Sequence, residues 1–361
     1  MKKFVCFFAL MAMVLFAKAQ IISLDKNEIA LMCKVVKSED MYKKVFDLFQ
    51  TTADKALNET PNPIETILSQ GLLAGDPKKV ASLKALEDAN KVYALALAYK
   101  YANKKKYLDK ATEFLTAWAK VNHATEDPIN ETKLEDLITA YDLIRNDIKH
   151  ADRTLIDGWM HAMADAQLNS GTAKANKGTA INNWNSHRIK MFTLIAYTLH
   201  DTSYQSPITQ ALEHQLNTNL KPDGTTHDLL ERDAFHYQTY DIEPLLSACV
   251  AIYRATGKNY FTWKTANGST LKKCVDYMTP YMTGEKTHPE FVKSKVPFDK
   301  KRAENGEKGY APGTLFEPLN GIYMFSLAAF FDDAYIRIIR KAAKDHNYIN
   351  WRMALNSFSI N

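Results

Sequence analysis

The chain is poor in cysteine and glycine, and both shortages exclude several classes of metal, nucleotide and catalytic site. Only four of its 361 residues are cysteine and only 13 are glycine. No Cys-x-x-Cys pair indicates a zinc site, and the three cysteines beyond residue 19 (Cys33, Cys249 and Cys274) allow at most one disulfide bond within the chain. No phosphate-binding glycine pattern and no Gly-x-Ser-x-Gly elbow occurs. We therefore expect neither a bound metal nor a cofactor.

Apolar runs long enough to anchor the chain in a membrane are also missing. A basic start, a short apolar segment over residues 4–16 and the small-x-small sequence Ala17-Lys18-Ala19 predict a signal peptide over residues 1–19, cleaved before Gln20. The apolar segment is too short to span a bilayer as a stable anchor. We therefore expect a periplasmic or secreted protein with no membrane span after cleavage, and one domain over residues 20–361.

A strong excess of one charge is missing as well. The formal charge is +5 at pH 7, and it falls to +2 when the three lysines of the predicted signal peptide are removed. Such a balance does not indicate a broad basic face, so we expect no nucleic-acid partner. An anionic ligand would have to be bound by a local cluster of charge.

What the chain does have is helical periodicity. Ile189–Leu199 and Leu245–Tyr253 are apolar on nearly every side, which indicates helices enclosed by other helices. Other segments are amphipathic, which indicates an outer layer. An inner layer of apolar helices enclosed by outer amphipathic helices predicts an all-α fold, namely an α/α barrel (toroid) of helical hairpins. A stack of helical repeats is the alternative, but no fixed repeat period is visible. Amphipathic or further helices are predicted at Leu83–Ala102, Tyr107–Val121, Leu134–Ile144, Leu155–Leu168, Ile208–Leu220, Leu271–Met282, Gly321–Phe331 and Ala334–Ala343.

Two polar clusters stand in front of the two enclosed helices. The first is Asn182-Asn183-Trp184-Asn185-Ser186-His187-Arg188, and the second is Glu231-Arg232-Asp233-Ala234-Phe235-His236-Tyr237. Amides, imidazoles, guanidinium groups and phenols are costly to desolvate without partners, so we expect the two clusters to share one polar pocket. Asn, His, Arg and Tyr together suit elimination next to a carboxylate.

In the first cluster, His187 follows Asn183 by four residues, so on a helix the two share one face. Asn183 is either a ligand of the pocket or a helix cap, and His187 is either a functional group or a satisfied core histidine.

In the second cluster, Pro244 predicts the first turn of a helix, with Tyr237 just ahead of its amino end or in a distorted first turn. The helix dipole and Arg232 would then favour a deprotonated Tyr237, which could serve as a base. The alternative is a core phenol bonded to Asp241 or to a backbone carbonyl. The basic stretch 300–302 is predicted to be a mobile charged loop, solvated by default, with closure over an anionic ligand as the alternative.

The order and spacing of these motifs resemble the alginate lyase superfamily, especially polysaccharide lyase family five. That family has Asn-Asn-His at the head of an inner helix, followed by Asp-Gly, Glu, Arg, a His-Tyr pair and Pro-Leu. The resemblance covers roughly residues 85–330 and implies an α/α barrel that cleaves a polyuronate by β-elimination. One position differs, because Trp184 stands where the family has a catalytic histidine. The matching residues are Asn182-Asn183, Asp223-Gly224, Glu231-Arg232, His236-Tyr237 and Pro244-Leu245.

The resemblance also implies roles for individual residues. Asn183 and Arg232 would neutralise the uronate carboxylate, and Tyr237 would be both catalytic base and acid. His187, one turn further along the helix, is predicted to replace the missing family histidine. The residues predicted to contact the substrate are Trp184, Arg188, His236 and Tyr240.

The expected substrate is an anionic polysaccharide. One tyrosine can remove the C5 proton and protonate O4 only if both lie on the same side of the sugar, as in mannuronate and glucuronate. We therefore expect polymannuronate (alginate) or glucuronan. An α/α-barrel glycoside hydrolase for uronic-acid oligosaccharides is one alternative, with Asp228, Glu231 and Asp233 as its carboxylates. A non-catalytic exported glycan-binding protein is the other.

Overall fold

The computed structural model describes residues 20–344 and 351–360, and within these ranges the chain is helical and contains no β-strand. This confirms the predicted all-α class. The predicted signal peptide, residues 1–19, lies outside the described residues. The first eight helices are α1 (Lys26–Ser38), α2 (Asp40–Ala56), α3 (Pro77–Ala85), α4 (Glu87–Ala102), α5 (Lys105–Val121), α6 (Pro128–Glu131), α7 (Glu135–Ile144) and α8 (His150–Leu168).

The second half of the chain begins with the two long inner helices. They are α9 (Asn183–Leu199) and α12 (Phe235–Thr256), and they pack against each other along their length. The other helices are α10 (Gln205–Asn219), α11 (His227–Arg232), α13 (Leu271–Met282), α14 (Pro297–Glu304), α15 (Ile322–Ala328), α16 (Tyr335–Ala342) and α17 (Trp351–Asn356).

Five helices form an inner row in which each contacts the next, namely α4, α7, α9, α12 and α15. They are buried along most of their length because their apolar residues are not confined to one stripe. Helices α2, α5, α8, α10, α13 and α16 cover this row from outside, and α17 contacts both α2 and α15. An inner row enclosed by outer helices is the arrangement of an α/α barrel.

Two predicted helix boundaries need correction. The segment Leu83–Ala102 is divided between α3 and α4, and the break falls at Leu86. Pro244 does not begin a helix but lies inside α12, which begins nine residues earlier at Phe235. The proline removes the intrahelical hydrogen bond to the carbonyl of Tyr240, so the helix is held at this point by its packing against α9 and α15.

Within the part of the chain that the structure describes, no helix has the length and apolar character needed to cross a membrane. The amino ends of α9 and α12 lie at the same end of the inner row, since residues from the first turns of both helices line one cleft.

Candidate active site

A cleft of about 260 Å³ lies at the amino ends of α9 and α12. The two polar clusters of the sequence meet there, as the sequence predicts. The lining also includes a loop before α3, the segment before α7, and α14 with the loop that follows it. The lining residues are Ser69, Gln70, Gly71, Lys79, Ile129, Lys133, Asn183, Trp184, Arg232, His236, Tyr237, Tyr240, Phe298, Arg302 and Tyr310.

Asn183 reaches the cleft from the first turn of α9. The helix cap is its neighbour Asn182, whose side chain accepts from the backbone N–H of Trp184, so Asn183 is not the cap. Asp228 accepts from the backbone N–H of Asn183 at 3.0 Å and also from its side-chain amide. Since an amide has two N–H groups, one is held by Asp228 and the other is left for a ligand.

His236 and Tyr237 lie in the first turn of α12, and this turn is capped from a distance. Ala234 at the N-cap has no side chain that could accept a hydrogen bond. Glu290 takes this role, because its two carboxylate oxygens accept from the backbone N–H groups of Phe235 at 2.6 Å and His236 at 3.0 Å. Burial raises the pKa of Glu290 to about 7.

Tyr237 lies between two guanidinium groups. Arg232 stacks on its ring, with the guanidinium carbon 3.9 Å from the ring centroid. Arg302 donates from Nη1 to the phenolic oxygen of Tyr237 at 2.8 Å and to that of Tyr310 at 3.1 Å. The phenol is therefore bonded neither to Asp241 nor to a backbone carbonyl, so it is not the core phenol of the alternative interpretation.

Burial and charge act on Tyr237 in opposite directions. Burial raises the pKa of the phenol above its ordinary value, and this effect is larger than the lowering by Arg232 and Arg302. Arg232 thus acts in the direction predicted from the sequence, but burial outweighs it and the phenol keeps its proton at neutral pH. The two guanidinium groups would stabilise the phenolate once the proton has left.

Arg302 is the functional candidate that the sequence interpretation missed. The stretch 300–302 is not a solvated loop but belongs to α14, which begins at Pro297. Proline in the first turn is a common helix start, and it was the signal available in the sequence. Within this helix, Phe298 packs against the guanidinium group of Arg302, with 4.5 Å between the guanidinium carbon and the ring centroid.

Arg232 is held by the same helix. Its Nη1 donates to Asp299 at 2.5 Å, and Asp299 also accepts from Ser294 at 2.7 Å. Because Asp299 is almost fully buried, the pair ties α11 to α14 beneath the cleft. The Nε of Arg232 is buried and has no hydrogen-bond partner among the described residues. The residue itself lines the cleft, so its guanidinium group is placed to meet an anionic ligand.

His187 is not part of the cleft lining. Its imidazole lies under the ring of Tyr240, 4.3 Å away between centroids, and its Nδ1 bonds to Thr132 at 2.9 Å. Nε2 of His187 has no hydrogen-bond partner among the described residues. The backbone carbonyl of Tyr240, which lacks its helical donor because residue 244 is proline, acts to raise the pKa of the imidazole. Burial and the nearby Lys190 lower that pKa well below its ordinary value, so His187 is neutral and cannot supply positive charge.

Of the four residues predicted to contact the substrate, three line the cleft and one does not. Trp184, His236 and Tyr240 line the cleft. Arg188 does not, because it is buried beneath the loop before α9, where its guanidinium donates to Asn185 and Thr172, each at 2.6 Å. Arg188 therefore links that loop to α9. Its position away from the cleft does not support the predicted contact with substrate.

The lining carries four basic side chains, and no lining residue among those described is a carboxylate. Lys79, Lys133, Arg232 and Arg302 together with two helix amino ends make the cleft strongly attractive for an anion. Burial, followed by the charges of neighbouring cations including Lys79, lowers the pKa of Lys133 to about 8. Its Nζ donates only to the backbone carbonyl of Ile129, at 2.7 Å, and it forms no ion pair within the described residues.

The carboxylates of the hydrolase alternative lie elsewhere. Asp228 is fully buried against Asn183, Asp233 accepts from the backbone N–H of Lys293, and none of the three lines the cleft. A pair of carboxylates flanking a bound sugar is thus lacking among the described residues. In the same part of the chain, no group of three or more His, Cys, Asp or Glu side chains is arranged to hold a metal ion.

The comparison with protein families agrees with this site. The family profile described as alginate lyase matches residues 38–288. The chain therefore belongs to the alginate lyase family and is a polysaccharide lyase. No curated protein sequence matches the chain significantly.

Solved structures of alginate lyases share the fold. An alginate lyase from Bacteroides ovatus is 18% identical, with a TM-score of 0.67 over 90% of this chain and 94% of that chain. Alginate lyase A1-III from Sphingomonas species A1 is also 18% identical, with a TM-score of 0.55 over 84% and 94%. A histidine-to-alanine variant of A1-III complexed with tetrasaccharide is 17% identical, with a TM-score of 0.56 over 87% and 88%. These similarities confirm the predicted α/α barrel.

Proposed function

We propose that this protein cleaves a polyuronate by β-elimination in the cleft at the amino ends of α9 and α12. The observation that carries the proposal is the position of Tyr237, a phenol held between two guanidinium groups in a basic cleft without carboxylates. A phenolate is a suitable base, and an anionic substrate is the kind that such a cleft attracts.

The first requirement of the reaction is to mask the substrate carboxylate, because the C5 proton is only weakly acidic beside a carboxylate anion. The free N–H of Asn183 and the guanidinium group of Arg232 are the donors for this step, since both residues line the cleft. They stabilise the enolate-like charge that develops as the proton leaves. His187, which is buried and neutral, takes no direct part and supports Tyr240 instead.

The second requirement is proton transfer at C5 and O4. Tyr237 first releases its own proton to solvent, a loss that the charges of Arg232 and Arg302 favour. As phenolate it removes the C5 proton, the electron pair forms the C4–C5 double bond, and the C4–O4 bond breaks. Tyr237 then returns the proton to O4, so that no proton is gained or lost overall. Arg302 holds the phenolic oxygen in both states, since its guanidinium donates whether the oxygen is neutral or charged.

We further propose polymannuronate or glucuronan as the substrate, because in both sugars the C5 proton and O4 lie on the same side. Trp184 and Tyr240 are suited to contact the sugar rings, and His236 lies beside Tyr237 at the same wall. Export through a signal peptide over residues 1–19 and one lyase domain over residues 20–361 complete the proposal, since a polymer too large to enter the cell must be cleaved outside the cytoplasm.

The test is ultraviolet absorbance during incubation with a panel of polymannuronate, polyguluronate, glucuronan and a neutral glucan. Elimination creates a conjugated double bond that absorbs, whereas hydrolysis and binding do not. We expect absorbance to rise with polymannuronate or glucuronan only. The matched control is Tyr237→Phe, which removes one hydroxyl and should abolish the signal without changing the circular dichroism spectrum. Reducing sugar released without absorbance would contradict elimination.

A further inference from the structure

Two carboxylates, Asp228 and Asp241, are buried behind Asn183 and have no place in the proposed chemistry. Both are fully buried, and neither lines the cleft. Burial raises the pKa of each of them, and for Asp241 the charge of Asp228 adds to the rise. Two ionised carboxylates cannot be neighbours in a dry interior without a large electrostatic cost, so one of the pair carries a proton.

Hydrogen bonding shows which of the two carboxylates is ionised. Asp228 accepts three N–H groups, the backbone and side-chain amides of Asn183 and the side-chain amide of Asn219 at 3.3 Å. All of its neighbours in these bonds are donors, which suits an ionised carboxylate that can only accept. The positive charge of Arg232 also favours its charged form.

Asp241 has different neighbours. Its Oδ1 accepts from the hydroxyl of Ser186 at 2.5 Å, but its Oδ2 is buried without a partner. The carbonyl oxygen of Asn219, whose side chain interacts with Asp241, is also buried without a donor. A proton on Asp241 makes its Oδ2 a donor, for which the unpaired carbonyl oxygen of Asn219 is the candidate acceptor, whereas an ionised Asp241 leaves that Oδ2 without a partner.

We propose that Asp228 is a positioning residue that fixes the side-chain amide of Asn183 with an N–H toward the cleft, and that a protonated Asp241 keeps Asp228 ionised. The proposal rests on the proposed elimination. An amide can turn by 180° at little cost, which would exchange its N–H groups and its oxygen. An oxygen facing the substrate carboxylate would repel it. An ionised carboxylate accepts only N–H, so Asp228 permits one orientation.

A double-mutant cycle with Asp228→Asn and Asn183→Ala tests the first part of the proposal. We expect each single change to lower kcat by about 100-fold, the size of effect seen when one transition-state donor is lost, with a smaller change in KM. In the Asn183→Ala background, Asp228→Asn should change kcat by less than about threefold, because Asp228 acts only through Asn183. A merely structural Asp228 would instead give losses that multiply.

Asp241→Asn is the matched control, because a carboxamide keeps one acceptor oxygen and places an N–H donor where the protonated acid has its O–H, with one further N–H. We expect it to keep kcat within about threefold of wild type and to leave the melting temperature nearly unchanged. If Asp241→Asn lowered both kcat and the melting temperature as much as Asp228→Asn does, Asp241 would be ionised, and the proposed role of a protonated Asp241 would be wrong. If Asp228→Asn does not fold, Asp228→Glu replaces it in the cycle, since it keeps the charge and shifts the oxygens.

The experiment separates this inference from the proposed function. If wild-type protein gives no absorbance with any polyuronate, the elimination is wrong. The same cycle is then measured as the affinity for a mannuronate tetrasaccharide by calorimetry. Non-additive losses of affinity would still support Asp228 as the positioning residue of Asn183, and additive losses would contradict it.

Discussion

Arg302 acts on the protonation of Tyr237 through direct contact, because its guanidinium donates to the phenolic oxygen and its charge lowers the pKa of the phenol. Replacing it by methionine should therefore raise the pKa of Tyr237 further and leave less phenolate at a given pH. We expect the alkaline rise of kcat/KM in the Arg302→Met variant to move upward by about one pH unit or more, the scale of a single charge–charge contact.

The control for this change is Arg340→Met, which removes an exposed arginine that does not line the cleft. It should leave the pH profile of kcat/KM unchanged. A uniform loss of kcat/KM at every pH in Arg302→Met, with no shift of the profile, would show that Arg302 binds substrate without acting on Tyr237.

His187, unlike Arg302, does not act on the reacting groups: although histidine is often catalytic, this one has a packing role. Its ring supports Tyr240, bonds to Thr132 and is kept neutral by burial. We expect His187→Gln to lower the free energy of unfolding by about 1–3 kcal/mol, the usual range for a disturbed buried hydrogen bond, and to keep kcat per folded molecule near wild type. Unfolding in urea and kcat are measured on the same sample. A large fall in kcat without loss of stability would return His187 to the catalytic group.

At the scale of elements, the amino end of α12 depends on Glu290, which caps it across a distance of 55 residues in sequence. Glu290→Ala should leave the N–H groups of Phe235 and His236 without partners and cost about 1–2 kcal/mol of stability. Because Tyr237 lies in the same turn, kcat should fall as well. The exposed Glu285→Ala serves as control, measured by thermal unfolding and absorbance assay, and it should match wild type in both.

The sequence allowed the inner helices and the meeting of the two polar clusters to be predicted, because both depend on local patterns. Periodicity reveals an enclosed helix, and a cluster of polar groups before an apolar run must find partners somewhere. Asn183, Trp184, Arg232 and Tyr237 were found in this way, and all four line the cleft.

Contacts between distant segments were not predictable from one sequence. Arg302 lies 65 residues after Tyr237, and Glu290 lies 55 residues after Phe235, so no local spacing connects either pair. The start of α12 was predicted wrongly from Pro244, because proline is common at helix starts. Its acceptance inside this helix depends on tertiary packing, which the sequence does not show. His187 and Arg188 follow the same rule, since only packing decides whether a polar residue of a helix faces the cleft or the interior, and both of these are buried away from the cleft.

At the scale of the whole molecule, the interior holds carboxyl groups whose pKa values are raised. Burial raises the pKa of Glu243 to about 8 and that of Glu290 to about 7, and it raises those of Asp136 and Asp142 to about 6. An acid whose pKa is higher in the folded state contributes stability at low pH that is lost as the pH rises through the folded value. Stability should therefore fall across the neutral range.

Buried histidines oppose this trend only at lower pH. Burial lowers the pKa of His236 to about 4, so its effect is complete once the pH exceeds the ordinary histidine value of about 6.5. Lys133, with a pKa of about 8, increases stability only above that pH. Between about pH 6.5 and pH 8 the carboxyl groups thus act without opposition from these basic groups.

Glu243→Gln is the change that tests this account. One group with a folded pKa of about 8 should remove about 1.6 kcal/mol between about pH 6.5 and pH 8, since the slope of about 1.4 kcal/mol per pH unit falls to half as the pH reaches the folded pKa. We expect wild-type stability, measured by urea unfolding, to decline across this interval and the decline to be smaller in Glu243→Gln by about that amount. Equal slopes in both proteins would mean that Glu243 is ionised in the folded state and that its attraction to the nearby Lys190 outweighs the effect of burial.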